Sequence, residues 1–152
     1  IGYNYRMTNM QAALGVAQME RIGEILSQKA EAIGKYRSLF GRDARFELPP
    51  LNDWSVNVCW MFSLVMKNGI CRDEIIAQLR RKNIETRPFF YPIHTMPPYK
   101  KPGVSLPVCE RLSARGLNLP SYPGLSSSEI EHIYEAVLGS LEVSAPEFKG
   151  SK

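Results

Sequence analysis

Apolar positions recur along residues 8–40 mostly at steps of three and four: Met10, Leu14, Ala17, Ile22, Ile25, Leu26, Ile33, Tyr36 and Phe40. That is the period of one helix face. It predicts a helix of about 45–50 Å at about 1.5 Å per residue. Gly41 is its stop, and Gly23 or Gly34 a place to bend. Residues 44–48 suit a short strand closed by Pro49-Pro50. Residues 58–67, VCWMFSLVMK, predict the main strand, with the Asn68-Gly69 turn behind it. Both of its faces are apolar, as in a central strand covered on two sides. A second helix is predicted over 72–82 with Ile75, Ile76 and Leu79 on one face. A strand follows over 84–90, where Pro88 argues for an edge position. Pro92, Pro97, Pro98 and Pro102 exclude regular helix from 91–103. Pro107 suits the first turn of a short helix over 106–115, and 117–119 is extended. Ser126 and Glu129 form a capping box before the stripe Ile130, Ile133, Tyr134, Val137, Leu138 and Leu141. Residues 144–152 read as a flexible tail.

The pattern packs as an α/β domain: a long helix plus a small, mostly antiparallel sheet covered by helices. Composition agrees with one globular domain, since 44% of the 152 residues are apolar and 22% charged. No apolar run reaches the roughly 20 residues needed to span a bilayer, so no membrane partner is expected. No basic flank followed by an apolar stretch marks a leader. The net charge of +4 is spread along the chain. Its one dense run, Arg80-Arg81-Lys82, falls at a helix C-terminus, where cations offset the dipole. No nucleic-acid partner is therefore expected. Cys59, Cys71 and Cys109 are odd in number and contain no CxxC pair. Neither they nor His94 and His132 have metal-ligand spacing, so a metal site is not expected and a reducing cytoplasm is.

Two stretches carry candidate chemistry. In GYNYRMTNMQAALG, residues 2–15, Thr8 and Gln11 fit a capping box, and Ala12, Ala13 and Gly15 let another backbone come close. Asn4 and Arg6 stand just ahead of that helix start. They either belong to a tightly packed helix N-terminus or face an anion. In ETRPFFYPIH, residues 85–94, Arg87 and His94 lie beside Phe89, Phe90 and Tyr91 on a backbone stiffened by proline. Either the aromatics are core and Arg87 pairs with an acid, or the loop holds a planar or anionic ligand.

GYNYRMTNMQAALG closely resembles the segment that follows the cofactor lysine in the DegT/DnrJ/EryC1/StrS family of nucleotide-sugar aminotransferases. The resemblance runs to about Val143 and omits the family's N-terminal large domain. It implies the small C-terminal domain of the aspartate-aminotransferase fold (type I) over residues 1–143, with the long connecting helix at about 8–40. It implies pyridoxal phosphate as the parent enzyme's cofactor. Asn4 would reach across a homodimer interface to the cofactor phosphate of the other subunit, supported by Arg6. FYPIHTMPPYK is most similar to the perosamine-synthase-like branch, which aminates a 4-keto nucleotide sugar with glutamate as donor. On that resemblance Arg87, Tyr91 and His94 face the nucleotide sugar, while residues 119–126 are structural. The family's Schiff-base lysine and pyridinium partner lie upstream of GYNYR. The chain alone is therefore expected to hold no catalytic residue, to bind no cofactor and to be inactive. A stand-alone dimerisation module with the same fold is the alternative.

Overall fold

In the computed structural model, residues 2–58, 60–67 and 69–143 are described; the predicted tail at 144–152, with Cys59 and Asn68, lies outside them. Two capping boxes start the first and last helices. Helix α1 (Asn9–Glu20) opens on Thr8, whose hydroxyl accepts the Gln11 N–H at 3.3 Å while the Gln11 side chain accepts the Thr8 N–H at 2.9 Å. Helix α5 (Ser127–Val143) opens on the same reciprocal pair made by Ser126 and Glu129, at 3.3 and 2.8 Å.

The helix predicted over 8–40 is divided. Helix α2 (Ile22–Phe40) follows α1 after a break at Arg21. There the backbone opens to ψ 4° and the Arg21 N–H turns to Gln18 O, three residues back. The break is not at Gly23 or Gly34, which lie inside α2 with no atom near where a side chain would start. Helix α1 buries no residue, whereas α2 buries Ala32, Ile33, Tyr36 and Phe40 in its second half.

Those four residues meet Ile75 and Leu79 of α3 (Arg72–Arg81) and Ile130, Ile133, Ala136, Val137 and Leu141 of α5 in one core. The aromatic centre is specific. Tyr36 stacks on Phe62 with centroids 4.5 Å apart, and Phe40 meets Phe46 and Tyr134 edge-on. Such pairs add about 0.5–1.5 kcal/mol beyond the area they bury. The Tyr36 hydroxyl donates to Pro120 O at 3.0 Å, so the buried phenol is satisfied.

The sheet supplies the floor of this core. Strands β1 (Phe46–Glu47), β2 (Phe62–Met66), β3 (Arg87–Pro88) and β4 (Gly116–Leu119) run in the order β1-β2-β4-β3, every pairing antiparallel. Phe62, Leu64, Met66, Leu117 and Leu119 face the helices. Ser63 and Asn118 face the other way, joined across the strands by a 2.7 Å hydrogen bond beside α4 (Pro107–Arg115). The strand predicted over 58–67 therefore begins only at Phe62. Its last partner is Leu119, and the next residue, Pro120, has no N–H to extend the ladder. Pro88 is on the edge strand, as its missing donor requires. The loop at 91–103 holds two 3-10 turns, Ile93–Thr95 and Pro97–Tyr99, and no α-helix.

Two backbone details hold the loops around the sheet. Asn83 takes φ 59° after α3, with Asn83 N–H on Arg80 O and Ile84 N–H on Leu79 O. This is a Schellman stop, and asparagine tolerates the left-handed conformation. Gly116 lies under the Phe89 ring, so that a Cβ there would fall 2.1 Å from ring atoms.

Candidate cofactor and substrate site

The N-terminal segment is held by local bonds. Asn4 Oδ1 accepts the Arg6 N–H at 3.0 Å, a short Asx turn leading into the Thr8 cap. Tyr3 and Tyr5 meet edge-on at 6.3 Å. Asn4 and Arg6 are exposed, and among the described residues no ion pair reaches the Arg6 guanidinium. Tyr3, Tyr5, Met7, Met10, Leu14 and Met19 are exposed as well. The segment is thus an apolar arm carrying one free cation and an amide at a helix start, with nothing of its own chain folded over it.

The second stretch is strapped onto α4. The Ser113 hydroxyl donates to Phe90 O at 2.9 Å, and His94 Nε2 lies 2.8 Å from Glu110 Oε1. The same oxygen of Glu110 accepts the Leu106 N–H at 2.8 Å. These bonds hold the Glu110 carboxyl below the ordinary carboxylate range, the Leu106 N–H first and His94 next. The far end of α4 is fixed by Arg72, which donates to Ser113 O and Gly116 O at 2.7 and 3.3 Å.

The structure does not gather the three predicted substrate residues in one cavity. Arg87, on β3, lines a cleft of about 690 Å³ together with Lys29, Tyr122, Glu129 and His132. Its guanidinium stands 3.5 Å from Glu85, and both groups are exposed, so this pair holds it only weakly. His94 lines a separate cavity with Tyr99, Lys100, Lys101 and Cys109. Tyr91 is exposed on the loop between them in sequence. Asn4 and Arg6 line neither cavity. Three residues escaped sequence reasoning. Glu110 is the partner of His94. Lys29 reaches from α2 to Trp60 O and Ser121 O, at 3.2 and 2.7 Å. Thr86 Oγ1 is buried in the Arg87 cleft with no partner. Only Glu110 had a visible signal, an acid in the first turn of a helix that starts on proline.

A pyridoxal-phosphate site needs a phosphate cradle, a free lysine and an acid for the pyridinium nitrogen. The N-terminal arm fits the first need, with a cation and an amide at a helix start. Of the described lysines, three have partners and three are exposed without one, Lys67, Lys100 and Lys101. Lys29, Lys35 and Lys82 are engaged by Ser121 O, Glu131 and Ala136 O. Lys100 and Lys101 share a cavity with His94, whose neighbouring acid, Glu110, is already bonded twice. Among the described residues there is also no cluster of three His, Cys, Asp or Glu side chains that could hold a metal ion. No described helix is long and apolar enough to cross a membrane.

Comparison with known proteins agrees with this architecture. The model of the DegT/DnrJ/EryC1/StrS aminotransferase family matches residues 1–138. The chain is 39% identical over 137 residues to the GDP-perosamine synthase of Escherichia coli O157:H7, covering 90% of this chain and 37% of that protein. It is 37% identical over 141 residues to the GDP-perosamine synthase of Caulobacter vibrioides, covering 90% and 38%. Among solved structures it is similar to Helicobacter pylori PseC, an aminotransferase involved in the biosynthesis of pseudoaminic acid. That match has a TM-score of 0.84 at 23% identity, over 94% of this chain and 40% of that one. A DegT DnrJ EryC1 StrS aminotransferase from Brucella abortus matches with a TM-score of 0.80 at 26% identity, over 93% and 38%. The chain therefore spans 37–38% of the length of these two curated relatives. Its α/β architecture is that of the small C-terminal domain of the aspartate-aminotransferase fold, and the chain belongs to the DegT/DnrJ/EryC1/StrS aminotransferase family.

Proposed function

We propose that this chain is the small-domain part of a pyridoxal-phosphate-dependent aminotransferase that aminates a 4-keto nucleotide sugar, with glutamate as amine donor. The observation that carries the reading is the N-terminal arm. It matches the family from its first residues, leaves Asn4 and the Arg6 guanidinium exposed, and leads into a helix that buries nothing of its own. Such an arm makes chemical sense as half of a site completed by another body. Pyridoxal phosphate, when bound, supplies the electron sink for exchanging a keto group and an amine. In this proposal Asn4 and Arg6 hold the cofactor phosphate of a second subunit of a homodimer, and Arg87, Tyr91 and His94 face the nucleotide sugar. The Schiff-base lysine comes from the large domain, so the 152 residues alone are inactive. The setting is the cytoplasm, where the exposed free thiols of Cys71 and Cys109 stay reduced.

The test is a chimera in which this chain replaces the matching part of the E. coli GDP-perosamine synthase. The proposal predicts an enzyme that aminates a 4-keto GDP-sugar. Asn4→Ala in it weakens cofactor binding about tenfold or more, as loss of a hydrogen bond to a charged group does. A folded, cofactor-loaded chimera with no sugar amination, or one indifferent to Asn4→Ala, contradicts the proposal.

A further inference from the structure

We propose that Glu110 is a positioning residue for His94: by accepting a hydrogen bond from Nε2–H it leaves Nδ1 as the nitrogen offered to a hydroxyl of the bound sugar. The inference rests on the reading of this loop as the nucleotide-sugar side, and adds to it a residue from a different element, with a defined task.

The geometry gives the tautomer. Glu110 Oε1 stands 2.8 Å from His94 Nε2 and 2.8 Å from the Leu106 nitrogen, so one oxygen is shared by a ring and a backbone N–H. An ionised carboxylate only accepts hydrogen bonds, hence the proton between it and the ring belongs to Nε2. Glu110 stays ionised because the Leu106 N–H and then His94 stabilise its charged form. In the neutral ring the second nitrogen is then an acceptor. No described residue occupies it: the one hydrogen bond of the His94 side chain is that to Glu110.

The ring is also held from its own backbone. Thr95 N–H and the Thr95 hydroxyl both donate to Pro92 O, at 3.0 and 2.8 Å, which fixes the 3-10 turn carrying His94. Around the ring stand Tyr99, Lys100 and Lys101 from the loop and Cys109 from α4, next to Glu110. This cavity of about 690 Å³ is lined by His94 together with Lys100 and Lys101. That pairing suits a ligand with both a sugar hydroxyl and a phosphate. His132, the other histidine, lines the Arg87 cleft and not this one.

The experiment is imidazole nitrogen NMR on the full 152-residue chain at about pH 8.5, above the ordinary histidine range of about 6.5. Histidine 94 and its control, His132, are the two imidazoles to assign. The expected result is a His94 ring protonated at Nε2 and bare at Nδ1. In Glu110→Gln, the Nε2 proton exchanges with water about tenfold faster or more, while His132 is unchanged. Gln can accept the Leu106 N–H and the Nε2–H through the same oxygen, so the helix start survives and what is lost is the charge that strengthens the Nε2 bond. A wild-type His94 protonated at Nδ1 overturns the proposal even if the variant does not fold. So does an Nε2 proton whose exchange ignores Glu110→Gln. The ligand half is read in the chimera, where His94→Ala and Glu110→Gln should each raise KM for the nucleotide sugar more than they lower kcat. No KM change for His94→Ala overturns the substrate reading of the loop, and the ligand role with it. A KM change for His94→Ala without one for Glu110→Gln overturns the positioning role alone.

Discussion

Single atoms decide the tightest positions. Gly116 has ordinary backbone angles, so its requirement is space: a methyl there would sit 2.1 Å from the Phe89 ring. Gly116→Ala should destabilise the domain by about 1–3 kcal/mol, the range for overpacking, read as a lower urea midpoint with unchanged slope. Tyr36→Phe strands the Pro120 carbonyl and should cost about 1 kcal/mol. Burial, then the charges of Tyr122 and Glu129, push the Tyr36 phenol up beyond the ordinary tyrosine range. The folded state therefore keeps a proton that the unfolded chain loses from about pH 10. Stability from this group is full below that pH and is lost as pH rises through the folded value. Tyr36→Phe should flatten this alkaline decline in a pH series of unfolding midpoints. At the acid end the sign reverses. Asp43, Glu110 and Glu129 are held below the ordinary range, mainly by Arg45, the Leu106 N–H and Ser126. Their contribution is present above about pH 4.3 and is lost as pH falls through their depressed values.

The elements differ in what their caps are worth. Ser126→Ala removes the cap of α5, whose buried face is part of the core, and should cost about 1 kcal/mol of global stability. Thr8→Ala removes an equivalent bond but should leave the global midpoint unchanged, because α1 buries nothing. A helix of 12 residues without tertiary contacts is marginal alone. Hydrogen exchange should show α1 amides opening far faster than those of α5, and faster still in Thr8→Ala. Both capping boxes and the core stripes of α2, α3 and α5 were legible in the sequence, because cap and period are local signals. The break at Arg21 was not. No glycine marks it, and Gly23 and Gly34 drew attention to positions inside α2 where nothing presses. The start of β2 was equally hidden, since it depends on Pro120 across the sheet. Arg87 and His94 were legible as chemistry, but their separation into two cavities was not. Nor was the Glu110 partner, sixteen residues away and on another element.

At the scale of the molecule, the chain has a satisfied core and an unsatisfied arm. Tyr3, Tyr5, Met10, Leu14, Val16 and Met19 are all more than half exposed along one continuous segment. A run of that kind is a surface made to be covered. The account predicts self-association of the isolated chain in sedimentation, reduced by Leu14→Asp together with Met19→Asp. The central claim is that this chain completes a cofactor site without holding the reactive lysine. The most direct measurement is a pyridoxal-phosphate titration of the purified 152 residues, followed by borohydride reduction and peptide mapping. The account predicts no stoichiometric adduct, only sparse labelling scattered over exposed lysines such as Lys67, Lys100 and Lys101. One lysine labelled at one equivalent per chain would contradict it and would move the chemistry into this domain.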